Sequence, residues 1–283
     1  SSLKRSAKQD RYQGHDYYNL DGLLTEEQKI AQSATREWVK QEVSPIIEDA
    51  YERGIYPRHL LKGLGELGAL GPSLPVEYGC AGTDEVTYGL MMMELERGDS
   101  GIRSAASVQG SLVMYPIFRY GSEEHRQKYL PKLATGDLIG CFGLTEPNSG
   151  SDPGSMTTNI KEDGDCYILN GAKLWITNSP IADVAVVWAK DEEGIVRGLI
   201  VDMDTPGCSA PKIEGKLSLR ASITGELVFE DARIPKSQLL PGVKGLKGPL
   251  SCLTKARYGI AWGAIGAGLD YYDSALRYSL ERE

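Results

Sequence analysis

Two hydrophobic periods divide this chain. Up to about residue 137, apolar residues recur every three to five positions, the spacing of one helix face. Thr25-Glu26-Glu27-Gln28 reads as a capping box, with Thr25 as N-cap and Gln28 reaching back. Behind it, Ile30, Ala34, Trp38, Val43 and Ile46 are expected to line one helix face. A second helix is expected over 57–70, with proline in its first turn. Two more are expected over 84–97 and 103–120, separated by the turn Asp99-Ser100-Gly101. In the latter, Ala105, Val108, Leu112 and Tyr115 form a stripe. Ser122 is placed to cap a further helix reaching Leu133.

Beyond residue 137 the pattern shortens. An apolar, strand-like run over 138–144 ends in Thr145-Glu146-Pro147-Asn148-Ser149-Gly150-Ser151-Asp152-Pro153. Further short runs, rich in Val, Ile, Trp and Phe, occupy 166–169, 173–177, 183–189, 197–203 and 226–230. Asn170-Gly171, Asp191-Glu192-Glu193-Gly194 and Thr205-Pro206-Gly207 separate them, and Asn-Gly predicts a hairpin. Closely spaced strands without intervening helices point to an antiparallel β-barrel or sandwich and away from a Rossmann unit. Past Pro241 the chain is Gly/Lys-rich and then helical from about residue 250. That helix carries Gly259, Gly263, Gly266 and Gly268, which permit close helix packing or close approach of a ligand. The last residues, Leu280-Glu281-Arg282-Glu283, keep a charged helical pattern without a C-cap signal, so the helical domain is expected to continue. The expected organisation is α+β and multidomain: a helical domain over 1–137, a central β-domain over 138–245, and the first part of a C-terminal helical domain over 246–283.

Composition narrows the function. The 283 residues are 41% hydrophobic and 25% charged, as in soluble globular proteins. Net charge is −8, without a concentrated basic block, which argues against nucleic acid as the main partner. No apolar stretch reaches membrane-spanning length, so no membrane insertion is expected, and the polar N-terminal segment lacks a signal-peptide core. Cys80, Cys141, Cys166, Cys208 and Cys252 are scattered and odd in number, which suits a reducing compartment. His15, His59 and His125 have no metal-ligand spacing; each is expected at the surface or at a boundary, and no metal site is expected. No G-x-G-x-x-G follows a strand, and neither a P-loop nor a G-x-S-x-G elbow occurs.

The turn after residue 144 is the best candidate for chemistry. It sets hydroxyls and backbone N–H groups side by side, glycine admits close approach of a ligand, and clustered N–H groups hold anions. An ordinary connection can have the same composition. Here the string Cys141-Phe142-Gly143-Leu144-Thr145-Glu146-Pro147-Asn148-Ser149-Gly150-Ser151-Asp152-Pro153 is followed by Leu174-Trp175-Ile176-Thr177-Asn178-Ser179. Other blocks in order are Glu77-Tyr78-Gly79-Cys80-Ala81-Gly82, Glu94-Leu95-Glu96-Arg97, Arg103-Ser104-Ala105, Tyr120-Gly121-Ser122-Glu123-Glu124 and Ala256-Arg257-Tyr258-Gly259-Ile260-Ala261-Trp262-Gly263.

From about Leu24 to Glu283 the chain resembles the acyl-CoA dehydrogenase family, and within it the branch that acts on glutaryl-CoA. The resemblance implies an N-terminal helical domain, a central β-domain and a C-terminal four-helix bundle, with FAD between them. It also implies a reaction in which a glutamate base takes the α-proton of an acyl-CoA while the β-hydride passes to flavin N5. In the glutaryl branch, loss of CO2 then gives crotonyl-CoA.

By the same resemblance Phe142, Gly143, Leu144, Thr145, Gly150, Ser151, Trp175, Ile176 and Thr177 bind FAD. Trp175 would lie on the isoalloxazine and the Thr177 hydroxyl would face N5. Donors near flavin N1 and the C2 carbonyl stabilise the reduced form, and Thr145 matches that position. Arg103 matches the arginine that pairs with the distal carboxylate of glutarate, a directional, bidentate contact. Glu96, Ser104, Ser107 and Ser151 match neighbouring substrate positions, and Arg257 and Tyr258 match the CoA- and substrate-lining block. The base glutamate of the family falls beyond Glu283, and Glu96 does not match it. The resemblance further implies an electron-transfer flavoprotein as acceptor, a homotetramer, and a bacterial cytoplasm or mitochondrial matrix. Another short-chain acyl-CoA dehydrogenase or oxidase, and a non-catalytic CoA- or flavin-binding protein, remain alternatives at this stage.

Overall fold

The computed structural model describes residue 16 and residues 18–282; His15 lies outside them. Helices α1 (Glu26–Trp38), α2 (Ile47–Arg53), α3 (His59–Glu66), α4 (Glu85–Gly98), α5 (Ser100–Ser107), α6 (Tyr115–Tyr120) and α7 (Glu123–Ala134) form the N-terminal part. The start signals act as the sequence predicts. Thr25 Oγ1 accepts the Gln28 N–H at 3.2 Å, and the Gln28 side chain accepts the Thr25 N–H at 2.9 Å. Ser122 and His125 form the same reciprocal pair at the head of α7. Asp84 caps α4 and Asp99 caps α5.

Three expectations need correction here. The stripe assigned to the first helix holds only in part: Val43 is buried and Trp38 and Ile46 pack against the core, but Ile30 is 67% exposed and Ala34 is exposed, while Gln28, Thr35 and Val39 are buried in addition. Two of these are polar and satisfied, Gln28 by Asp84 and Thr35 by the Ala31 carbonyl. A π-helical stretch over Val39–Val43 then changes the phase, which a fixed helical period does not anticipate. The helix over 57–70 contracts to α3, because Gly68 takes φ +73° and breaks it. His125 is buried rather than at the surface: it accepts the Ser122 N–H on Nδ1, and its Nε2 meets the Ser237 carbonyl at 2.6 Å.

Strands β1 (Gly140–Gly143), β2 (Asn159–Asp163), β3 (Cys166–Thr177), β4 (Val184–Lys190), β5 (Val196–Asp202), β6 (Cys208–Ser209) and β7 (Thr224–Pro235) form one sheet in the order β1-β4-β2-β3-β7-β6, with β5 paired to β4. Most pairs are antiparallel; β1 and β4 run parallel from Gly140↔Val184 to Gly143↔Val187. Alternation along β4 serves two cores. Val184, Val186 and Trp188 join the helices, while Ala185, Val187 and Ala189 join a second core made by the strands.

The Asn170-Gly171 hairpin does not form. β3 runs straight through it, and a register shift between Leu169 and Gly171 marks a bulge. Gly171 has φ +140°, and a side chain there would strike Thr158. The hairpin lies earlier, where Asp163 pairs with Cys166 around Gly164 at φ +61°. Finally α8 (Lys247–Glu281) packs along α4 and α5. Gly259, Gly263 and Gly266 make that approach possible: a side chain on them would meet Tyr88, Glu96 and Met93, respectively.

Candidate functional site

β1 packs against the π-helical stretch Val108–Met114, and the turn at 145–155 leads from it to β2. The Thr145 carbonyl accepts the Leu174 N–H at 2.9 Å, which sets the two candidate blocks side by side. Between them and α8 lies a cleft of about 360 Å³. Phe142, Leu144, Thr145, Gly150, Ser151, Trp175, Ile176 and Thr177 line it, facing Arg257. Val108 and Leu112 close its helical side, and Leu250 and Leu253 of α8 close another. These four, with Pro153, were not assigned a site role from the sequence, since apolar helix positions carry no signal beyond burial.

Trp175 is the most unusual residue of the cleft. Its φ is +62°, a left-handed conformation costly for a bulky residue, and it is 59% exposed. The register of β3 against β7 slips between Lys173 and Ile176, so Leu174 and Trp175 stand out of the ladder. A strained bulge that turns an indole toward open space makes one wall of a slot for a flat ring. Apolar Leu144, Ile176, Val108 and Leu112 supply its greasy sides, and the hydroxyls of Thr145, Ser151 and Thr177 supply hydrogen-bonding groups. These residues fit an isoalloxazine.

Gly143 does not line the cleft. Its lack of a side chain leaves room for the stem of Lys173, whose Cγ would lie 3.2 Å from a Cβ there. Lys173 is fully buried and forms an ion pair with Glu146 at 2.8 Å, itself 4% exposed at the side chain. Lys173 Nζ also donates to the Leu144 carbonyl at 3.2 Å. The Glu146 carboxylate accepts from Thr157 N, Thr157 Oγ1 and Thr158 N at 2.7–3.0 Å. Burial pushes the Lys173 ammonium down to about 8 despite its partner. Burial would raise Glu146, but Lys173 and the Thr157 and Thr158 donors outweigh it and hold the carboxyl at about 2. Sequence reasoning missed this pair. The available signal was that each is the sole charge of its block, Glu146 within 138–151 and Lys173 within 170–182.

Of the expected substrate residues, Ser151 and Arg257 line the cleft, and the others form a separate group. Arg103 is buried and its Nε is paired with Glu96, at the junction of α4, α5 and α8 under Gly263. Ser104 is half-buried, and Ser107 is buried immediately before Val108. Tyr258 stacks on Tyr88 with centroids 6.2 Å apart and donates its hydroxyl to the Glu85 carbonyl, so it braces α8 on α4. Glu96, Arg103, Ser104, Ser107 and Tyr258 are not among the residues that line the cleft. No cluster able to hold a metal ion occurs among the described residues, and no described helix is long and apolar enough to cross a membrane.

Comparison with known proteins agrees with this geometry. Residues 25–137 match the acyl-CoA dehydrogenase N-terminal domain, and residues 141–232 match the acyl-CoA dehydrogenase middle domain. The probable acyl-CoA dehydrogenase YngJ of Bacillus subtilis is 38% identical over 268 residues, covering 92% of this chain and 70% of that one. The mitochondrial short-chain specific acyl-CoA dehydrogenase of Rattus norvegicus is 37% identical over 265 residues, covering 92% and 64%. Among solved structures, a glutaryl-CoA dehydrogenase from Mycobacterium smegmatis in complex with FADH2 superposes with a TM-score of 0.92 at 50% identity, covering 94% of this chain and 69% of that one. The chain thus spans about two-thirds of the length of these relatives. With both domain matches in order and this cleft between them, the chain belongs to the acyl-CoA dehydrogenase family.

Proposed function

We propose that this chain binds FAD in the cleft and forms part of an enzyme that oxidises glutaryl-CoA. The observation that carries the flavin reading is Trp175, strained, exposed and on the same cleft as Arg257. Bound FAD would accept the hydride from the substrate β-carbon. The residues of this chain would orient it: Trp175 on one face, Thr145 and Thr177 through their hydroxyls, Val108 and Leu112 excluding water. Arg257 is exposed at the cleft and suits the phosphates of CoA. A positioned carboxylate must take the α-proton. Among the described residues no Asp or Glu lines the cleft, and Glu96 is held by Arg103, so we place the base outside these 283 residues.

The substrate reading rests on the buried Arg103 cation beside the cleft wall and on the 50% identity to the mycobacterial enzyme. Oxidation gives glutaconyl-CoA, and loss of CO2 from its free carboxylate gives crotonyl-CoA. An electron-transfer flavoprotein as acceptor and a tetrameric assembly complete the proposal. The rival substrate is butyryl-CoA, favoured by the similarity to the short-chain specific relative. Anaerobic titration of the FAD-loaded full protein separates them. Bleaching of the flavin band by glutaryl-CoA at lower concentration than by butyryl-CoA, with release of CO2, is the expected result. Preference for butyryl-CoA moves the protein to the short-chain reading, and a protein that takes up no flavin refutes both.

A further inference from the structure

The pair Lys173–Glu146 does not touch the open cleft, yet three segments around the cleft converge on it: the turn after β1, the entry to β2, and β3. Lys173 holds the Leu144 carbonyl at the end of β1; Glu146 holds the backbone of Thr157 and Thr158 at the entry to β2. Lys173 is also the last residue of β3 in register with β7 before the slip that extrudes Leu174 and Trp175. The next N–H, that of Leu174, is fixed to Thr145. Gly143 leaves the channel through which the lysine stem reaches the carboxylate. An apolar pair of similar volume would fill this space at least as favourably, since buried charges are costly to desolvate. A strained residue such as Trp175 persists only where its surroundings over-determine it.

We infer that Lys173 and Glu146 are positioning residues that clamp the β3 bulge to the turn at Leu144–Glu146, and so hold Trp175 at the spacing that admits a planar ring. The inference rests on the flavin reading for its purpose, but not for its test. The double variant Lys173→Met/Glu146→Gln removes both charges and keeps an acceptor for Thr157 and Thr158. Amide hydrogen exchange of the apoprotein is compared with wild type. Loss of the clamp raises exchange at residues 174–177 at least tenfold while β4 and β5 stay protected; a merely structural pair raises exchange everywhere or nowhere, and either pattern overturns the inference. In the FAD-binding protein the same variant loses at least tenfold in FAD affinity, and an affinity within threefold of wild type also overturns it. A wild-type protein that binds no FAD would sink the flavin reading while the exchange result still decides the clamp. Should the double variant fail to fold, Glu146→Asp keeps the charge and withdraws it by one methylene. The same local loosening is expected there, and unchanged exchange at 174–177 refutes the clamp.

Discussion

Gly266 of α8 passes Met93 of α4 so closely that a Cβ on Gly266 would lie 1.9 Å from the Met93 carbonyl oxygen. A fixed backbone atom cannot give way as a side chain can, so the helices must part. Helix propensity favours alanine over glycine by about 1 kcal/mol, but overpacking costs about 1–3 kcal/mol or more. A clash with backbone falls at the upper end of that range, so Gly266→Ala is expected to destabilise by a net of about 2 kcal/mol. Gly268 is two residues away and exposed, and a Cβ there would meet nothing within 4 Å. Gly268→Ala is expected to stabilise by about 0.5–1 kcal/mol. Urea denaturation of the two variants checks the opposite signs; equal effects would refute the packing account of α8.

Trp175 supplies the second test. Replacing it with glycine relieves a left-handed conformation worth about 1–2 kcal/mol and adds the flexibility of glycine, which costs about 0.5–1 kcal/mol. The apoprotein is thus expected to keep its stability within about 1 kcal/mol, because these terms nearly cancel. Flavin affinity is expected to fall about tenfold, the scale of one lost aromatic stack. Thermal melting and flavin fluorescence titration measure the two separately. A variant that melts far lower yet binds flavin as well as wild type would make the indole a fold residue.

The succession of helices and short strands was legible because it rests on strong local signals. Caps at Thr25 and Ser122 and the turns around Gly194 and Gly207 appear where their residue types demand. The errors sit where tertiary contacts overrule local preference. Asn170-Gly171 reads as a hairpin, but β7 pairs with both sides of it, and the turn becomes a bulge. Asp163-Gly164-Asp165 makes the hairpin without an apolar run before it, and so β2 passed unread. Of the site, the two blocks were visible as strings, and the fold brings them together on one cleft. The Lys173–Glu146 pair was hidden, since a lysine in a strand normally signals an outward face, and only the fold shows a contact across 27 residues of sequence.

Acid should weaken the same region. The folded Glu146 carboxyl is depressed from 4.5 to about 2, so the unfolded chain binds its proton first. Its stabilisation is complete above pH 4.5 and is lost as pH falls toward 2, an effect on the order of 3 kcal/mol from the size of the shift. Between those limits wild type is expected to lose more stability than Glu146→Gln, which carries no such proton. Denaturation midpoints measured from about pH 6 to about pH 2 on both proteins give the comparison. Parallel curves would show that Glu146 titrates normally.

Arg103 and Glu96 allow fold and specificity to be pulled apart. Both side chains are about nine-tenths buried, and they neutralise one another beneath Gly263. Arg103→Ala leaves the Glu96 charge without its partner and is expected to destabilise by about 3–5 kcal/mol. Arg103→Met/Glu96→Gln removes both charges and should recover most of that loss. If Arg103 also recognises the second carboxylate of the substrate, recovery of stability brings no recovery of choice. In the full protein the double variant is then expected to lose about 2–5 kcal/mol of discrimination between glutaryl-CoA and butyryl-CoA, the scale for losing one member of a buried charge pair. Turnover with butyryl-CoA should change far less, because that chain presents no carboxylate. A stable double variant that still prefers glutaryl-CoA by the wild-type margin would assign Arg103 to the packing of α4, α5 and α8 alone.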